Sequence, residues 1–182
     1  MPIKTILVCM TTKENAETLM KAAVPLARRH GAHLVGLHTL QALEVYPGVA
    51  MHITADVYQQ YNSGQHKEAD AIEAIFDAHT KSEDFVSEWR LLKAQATLAS
   101  ERMVESARAA DLVIMAHEDK KTDRYDQRHA QSAVIKKSGR PVIVLPMDYD
   151  GPEIGQKILV GWSDTREAAR AVHDALALAG DK

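Results

Sequence analysis

The sequence contains a single cysteine, Cys9, so no disulfide can form within the chain, and a reducing compartment is expected. Aromatic residues make up 5% of the 182 residues, so the core must be built from aliphatic side chains and methionine. Long apolar runs are also missing, because runs such as residues 6–10 and 112–116 suit a strand and are too short to span a bilayer. The first residues lack the apolar stretch of a signal peptide. We therefore expect a cytoplasmic protein that does not associate with membranes.

The sequence also has no large excess of charge of one sign. The formal net charge is −3 at pH 7, and the lysines and arginines are spread along the sequence without forming a block. Proteins that bind nucleic acid through its phosphates concentrate basic residues on one face or in one segment. A nucleic acid is therefore not an expected partner.

Two patterns alternate along the first 146 residues: short β-branched runs, and stretches with apolar residues every three or four positions. The first pattern predicts strands and the second predicts amphipathic helices. The predicted strands cover residues 3–10, 33–40, 86–92, 112–116 and 141–145. The predicted helices lie between Thr12 and Gly31, over 57–80 with a kink or break at 62–64, over 97–110, and from about residue 130 to Gly139. This alternation predicts an α/β fold, an open parallel sheet of five strands with helices on both faces.

The pattern starts again after residues 147–155, a stretch rich in Asp, Gly and Pro that has the composition of a linker. A shift of 152 residues without gaps places Ile6-Leu7-Val8 on Ile158-Leu159-Val160. The same shift matches apolar residues of the first helix with later ones, namely Ala16, Ala23, Leu26 and Ala27 with Ala168, Ala175, Leu178 and Ala179. We interpret this match as an internal duplication, although any two strand–helix units share some of these features.

The sequence thus predicts a first domain over residues 1–146 and a linker over 147–155. Residues 156–182 are predicted to form the first strand and helix of an incomplete second domain. One strand and one helix cannot bury their own apolar faces. Either the chain is a piece of a longer tandem protein, which we favour, or the extra unit docks on the first domain or exchanges with a second chain.

Several segments resemble the universal stress protein family, over residues 3–146 and 156–180. They are Lys4-Thr5-Ile6-Leu7-Val8, Ala32-His33-Leu34-Val35-Gly36-Leu37-His38, Ala110-Asp111-Leu112-Val113-Ile114-Met115, Arg140-Pro141-Val142-Ile143-Val144-Leu145-Pro146 and Lys157-Ile158-Leu159-Val160-Gly161-Trp162-Ser163-Asp164. The resemblance implies the strand order 3-2-1-4-5. It also implies pairing of two domains, as a homodimer or within one chain, through the strand at 141–145.

By the same resemblance, ATP-binding members hold the nucleotide with an Asp after the first strand and a glycine pattern after the fourth. Glycines let the backbone approach phosphates, whose charge the loop N–H groups hold. In this chain Thr12 replaces that Asp, Ala116-His117-Glu118-Asp119 replaces the first glycine pair, and Arg128-His129-Ala130 lies where a later glycine is expected. We therefore predict that the first domain does not bind ATP in the manner of the family.

The second copy keeps an Asp at the family position, Asp164, after Trp162-Ser163. Its glycine loop would follow Lys182, so the resemblance implies ATP as a cofactor only through a completed second domain. No other cofactor is predicted. Asp164 has an alternative role as the N-cap of the helix that begins at Thr165, with Glu167 at its third position.

The resemblance implies a non-catalytic stress-response module that acts through domain pairing and through binding of a ligand or partner in a degenerate nucleotide crevice. The candidate residues of this crevice, beside the first and fourth strands, are Met10, Thr11, Thr12, His38, Ala116, His117 and Arg128, with Asp164 from the second copy. The alternative is an enzyme, a nucleotide (ATP)-binding α/β hydrolase or transferase. It would use the crevice at the carboxyl ends of the first and fourth strands, with His117 or Glu118 as acid or base.

Two further features have a functional and an ordinary explanation. The polar loop with His117, Glu118, Asp119, Asp123, Asp126 and His129 is either a zinc or manganese site or, as we favour, a solvated loop. Cys9 is either a nucleophile at a strand end or, as we favour, a small buried hydrophobe. No catalytic or metal-ligating residue is therefore predicted.

Overall fold

The β-branched runs form strands in the computed structural model of the chain, which describes residues 2–43, 45, 48, 52–94, 98–118, 129–150 and 154–179. The strands are β1 (Thr5–Cys9), β2 (His33–Gln41), β3 (Ser87–Ala94), β4 (Leu112–Ala116) and β5 (Val142–Leu145). They form one five-stranded sheet in the order β3-β2-β1-β4-β5, and every pairing is parallel. The predicted fold class and strand order are therefore confirmed.

Helices cover both faces of this sheet. The described helices are α1 (Lys13–His30), α2 (Ala55–Thr80), α3 (Ala99–Ala107), α4 (Ala130–Lys137) and α5 (Arg166–Ala179). Successive residues of a strand face opposite sides, so Ile6 and Val8 of β1 pack in the layer of α1 and α2. Leu7 and Cys9 pack in the opposite layer, with α3 and α4. Within the described residues, no helix has the length and apolar content needed to cross a membrane.

Helix α1 has the ends that its sequence predicts. Thr12 is its N-cap, and Gly31 follows the last turn with a φ of 56°, a left-handed conformation that glycine adopts without steric cost. The Gly31 N–H points to the carbonyl oxygens of Ala27 and Arg28, which the helix itself leaves without partners. These two ends fix the direction in which the chain leaves β1 and enters β2.

A kink or break was predicted at residues 62–64, and helix α2 runs through them without interruption, so the break is wrong. A glycine inside a helix costs only about 1 kcal/mol relative to alanine, and tertiary contacts hold the helix on the sheet directly after this position. Gln65 Nε2 donates to the carbonyl oxygen of Gln41 at 2.9 Å, and the Gln41 N–H donates to Gln65 Oε1 at 2.9 Å. The buried Ile72 and Phe76 then hold the rest of the helix against the sheet.

Residues 158–160 are not part of any strand in the structure, so the strand predicted there as the start of a second copy is not observed. The helix predicted after them is present as α5, and its Ala177 and Leu178 pack against the core on the α1 side of the sheet. Arg170 Nη2 donates to the carbonyl oxygen of Gly139 at 3.1 Å, and Arg29 Nη1 donates to that of Leu178 at 3.3 Å. A strand needs a neighbouring strand for its backbone hydrogen bonds, and no sheet edge runs beside 158–160 in the described part of the chain.

Candidate functional site

The candidate site lies where the carboxyl ends of β1 and β4 meet. The chain leaves β1 toward β2 on one side of the sheet, whereas β4 leads to β5 on the other side. Ligands of open parallel sheets bind in the crevice that forms at such a switch point. The crevice is bordered by residues 10–12 after β1 and by residues 117–118 after β4.

On the β1 side, two threonines and an asparagine form a closed set of hydrogen bonds. The Asn15 N–H donates to Thr12 Oγ1, and the Thr12 N–H donates to Asn15 Oδ1, each at 3.4 Å. Asn15 Nδ2 donates to Thr11 Oγ1 at 2.8 Å. This reciprocal arrangement is a capping box, which satisfies backbone groups at the start of α1. The N–H of Thr12 therefore already has a partner within the protein.

His38 lies beneath the crevice and is fully buried. Its Nδ1 is 2.7 Å from the carbonyl oxygen of Met10, and since a carbonyl oxygen only accepts, Nδ1 carries the hydrogen in this bond. The N–H of Met10 donates to the carbonyl oxygen of Leu37 at 2.9 Å. Met10 is fully buried as well. His38 thus holds the backbone of Met10, the residue that follows β1, against β2.

On the β4 side, the two backbone N–H groups that follow Ala116 have partners. The N–H of His117 donates to the carbonyl oxygen of Leu145 at 2.6 Å. The N–H of Glu118 donates to Gln131 Oε1 at 3.1 Å. The imidazole Nδ1 of His117 lies 3.0 Å from the carbonyl oxygen of Glu118. Ala116 and Glu118 are half-buried, and His117 is exposed.

Some of the predicted site residues are not brought to this crevice or are not described. Arg128 lies outside the described residues, as do Asp119, Asp123 and Asp126 of the predicted metal alternative. Asp164 is exposed, and no contact joins it to the crevice within the described part of the chain. Thr165 rather than Asp164 caps α5, since Thr165 Oγ1 accepts from the Ala168 N–H at 3.2 Å.

The described residues contain no group of three or more His, Cys, Asp or Glu side chains that could hold a metal ion. His129 is the residue before α4, in a left-handed conformation with a φ of 65°. His117 is oriented by a carbonyl oxygen instead of a carboxylate. Three of the six residues of the predicted metal alternative, Asp119, Asp123 and Asp126, lie outside the described ranges.

Asn15 and Gln131, which accept the hydrogen bonds of the Thr12 and Glu118 N–H groups, were not among the predicted site residues. Asn15 had a signal in the sequence, because an amide three residues after a threonine N-cap can complete a capping box. Gln131 had none, because its contact with Glu118 spans a loop whose path cannot be derived from residue spacing.

Cys9 is buried next to the crevice, and burial raises the pKa of its thiol to about 12. The nucleophilic form of cysteine is the thiolate, so the raised pKa predicts that Cys9 reacts slowly in the folded protein. We expect a thiol reagent at pH 8 to modify native Cys9 about a thousandfold more slowly than an exposed cysteine, and to modify it at the normal rate in urea. Rapid stoichiometric labelling of the native protein would contradict this expectation.

A doubly wound parallel sheet with a crevice at its switch point defines a class of ligand-binding α/β proteins. The sequence profile described as the universal stress protein family matches residues 2–146, and the chain belongs to that family. No curated protein matches the chain significantly in sequence.

Solved structures share the fold at low sequence identity. The universal stress protein UspA from Lactobacillus plantarum is 15% identical with a TM-score of 0.60, over 80% of this chain and 99% of the other. A universal stress family protein from Burkholderia pseudomallei is 18% identical with a TM-score of 0.54, over 79% and 96%. The hypothetical protein MJ0577 is 18% identical with a TM-score of 0.60, over 80% and 97%. At these identities the likeness concerns the fold alone.

Proposed function

We propose that the first domain is a non-catalytic member of the universal stress protein family that pairs with a second domain. It binds a ligand or partner at the crevice and does not hold ATP in the manner of the family. The observation that carries this proposal is the hydrogen bonding of the loops at the crevice. The N–H groups of Thr12, His117 and Glu118 donate to Asn15, Leu145 and Gln131, respectively.

A nucleotide phosphate needs several free donors, because its charge must be matched when water is removed. The three N–H groups could turn to a phosphate only if bonds within the protein were broken. Glu118 adds a carboxylate at the same place, and its negative charge repels a phosphate. Ala116 is half-buried and His117 is exposed, so both residues are accessible to a ligand or partner at the crevice.

The enzyme alternative receives less support from the same geometry. His117 and Glu118 are adjacent, but the Nδ1 of His117 faces the backbone oxygen of Glu118. A general base is normally oriented by a carboxylate and faces a nucleophile. Cys9, the nucleophile considered from the sequence, is buried with a raised pKa.

Domain pairing is supported by the edge of the sheet. Strand β5 pairs with β4 on one side, and on its other side the described residues contain no strand. Val142, Ile143 and Val144 are only half-buried there. An open edge with apolar side chains is a surface that other strands can cover, and native proteins normally protect it.

Calorimetric titration of the full chain with Mg-ATP tests the proposal on the crevice. We expect no saturable heat up to about 1 mM nucleotide, which corresponds to a binding free energy weaker than about −4 kcal/mol. Separate titrations with adenosine and with inorganic phosphate would assign any weak binding to the base or to the phosphates. A dissociation constant for ATP in the micromolar range would refute the proposal.

A further inference from the structure

Residues 157–162, which we call the exposed segment, carry large apolar side chains into solvent. Leu159 is 99% exposed, Trp162 is 63% exposed, and Ile158 and Val160 are 44% and 49% exposed. Soluble proteins rarely leave such a contiguous apolar group uncovered, and those that do use it for binding. The alternation of half-covered and fully exposed side chains from Ile158 to Val160 is the alternation of a strand.

The same three residue types form the middle of the sheet in the first domain. Ile6, Leu7 and Val8 of β1 are 0–1% exposed and have strands on both sides. A continuous Ile-Leu-Val run suits a strand that is covered on both faces and is costly to leave in water. The exposed segment therefore has the sequence of a buried strand and lacks the neighbours of one.

The chain is tied to the rest of the fold on both sides of the exposed segment. Before it, Arg29 Nη1 donates to the carbonyl oxygen of Ile154 at 3.1 Å. After it, Arg170 Nη2 donates to that of Gly139, three residues before β5. These contacts tie the chain before the segment to α1 and the chain after it to Gly139.

The chain does not use its own β5 edge to cover the segment. After β5, Met147 accepts a hydrogen bond from Thr18 Oγ1 at 3.4 Å, and Lys21 lies 3.8 Å from Asp150. These contacts and that of Ile154 lead the chain along α1, away from the edge. A parallel neighbour also needs a crossover of about a dozen residues or more, usually with a helix, and the described residues between β5 and the segment contain no helix.

We propose that the exposed segment adds as a strand to the β5 edge of a second copy of this chain. This inference rests on the domain pairing proposed above and names the segment that forms the contact. Each copy offers one strand donor and one open edge, so a two-fold arrangement satisfies both at once. Backbone hydrogen bonds along β5 supply the pairing, and Leu159 and Trp162 supply the apolar contact.

The first test measures the oligomeric state of the full chain by size-exclusion chromatography with light scattering. We expect a dimer for the unchanged protein and a monomer for Leu159→Asp. The matched control is Leu176→Asp, since Leu176 is 64% exposed on α5 and lies outside the segment. It is expected to remain a dimer. An unchanged protein that is monomeric at all concentrations overturns both the inference and homodimeric pairing.

The second test locates the contact by amide hydrogen exchange. We expect amides of residues 158–160 and of β5 to exchange at least tenfold more slowly in the dimer than in the Leu159→Asp monomer. A dimer in which 158–160 exchange like free chain, or a Leu159→Asp variant that stays dimeric, overturns the inference on the segment while domain pairing stands.

Discussion

Replacement of Phe76 by alanine is expected to lower the free energy of unfolding by about 3–5 kcal/mol. Phe76 is 2% exposed on α2, and its ring centroid lies 5.7 Å from that of Trp89 at an interplanar angle of 40°. The change removes a buried ring, leaves a cavity between helix and sheet, and breaks a tilted aromatic pair. Urea denaturation of the two proteins measures the difference.

A control on the same helix separates burial from helix propensity. Tyr58 is 40% exposed on α2, and Tyr58→Ala should change the free energy of unfolding by no more than about 0.5 kcal/mol. Equal losses in the two variants would contradict the position of Phe76 in the core.

The second large effect is expected at Gly36, in the middle of β2. A Cβ at this position would lie 2.7–2.8 Å from ring atoms of Phe76 and Trp89, which is too close for carbon atoms. Gly36→Ala should therefore lower the free energy of unfolding by about 1–3 kcal/mol, because the rings must shift in a packed core. Thermal and urea unfolding both measure this loss.

Gly64 provides the matched control for Gly36. It lies on the exposed side of α2, and a Cβ there meets no atom within 4 Å. Gly64→Ala should stabilise the protein by up to about 1 kcal/mol, because alanine favours a helix. If Gly36→Ala behaved like Gly64→Ala, the close packing of the rings on β2 would be refuted.

The two large effects are coupled, because the Phe76 ring is part of what obstructs a Cβ at Gly36. In the double variant the missing ring makes room for the added methyl group. Its loss of stability should therefore be smaller than the sum of the two single losses. If the two losses of stability were additive, the Trp89 ring alone would be what obstructs a Cβ at Gly36.

The fold could be predicted from the sequence because its central elements carry unambiguous local patterns. The apolar runs that became β1 and β4 are buried on both faces, and Gly31 ends α1 as expected. The break at residues 62–64 of α2 was wrong because the local cost of Gly64 is small against the contacts of Gln65 with Gln41. Propensity is a local quantity, and these contacts join residues far apart in sequence.

At 158–160 the sequence predicted a strand that the structure does not contain. Its composition indicates a strand, but a strand exists only where a neighbour accepts its hydrogen bonds. The neighbour is a property of the assembled sheet and leaves no mark in residues 158–160 themselves. The helix α5 needs no such neighbour for its backbone, and it was predicted.

At the candidate site, the sequence showed which residues of the family pattern are absent. It did not show which groups bond to the N–H groups of the loops. By the family resemblance, Thr12 stands in place of an Asp, and Ala116 and Asp119 stand in place of two glycines, which the sequence shows directly. That the side chains of Asn15 and Gln131 occupy the N–H groups became visible only with the positions of the loops.

The pairing of β1 with β4 has a consequence for synthesis on the ribosome. Ile6 pairs with Leu112, about a hundred residues later in the chain. At a synthesis rate of about 5–20 residues per second, β4 is made on the order of 5–20 s after β1. Contacts of such long sequence separation also slow folding in general. β1 is thus enclosed on its second side only after β4 has been made, and until then α1 and β2 are the neighbours that can cover it.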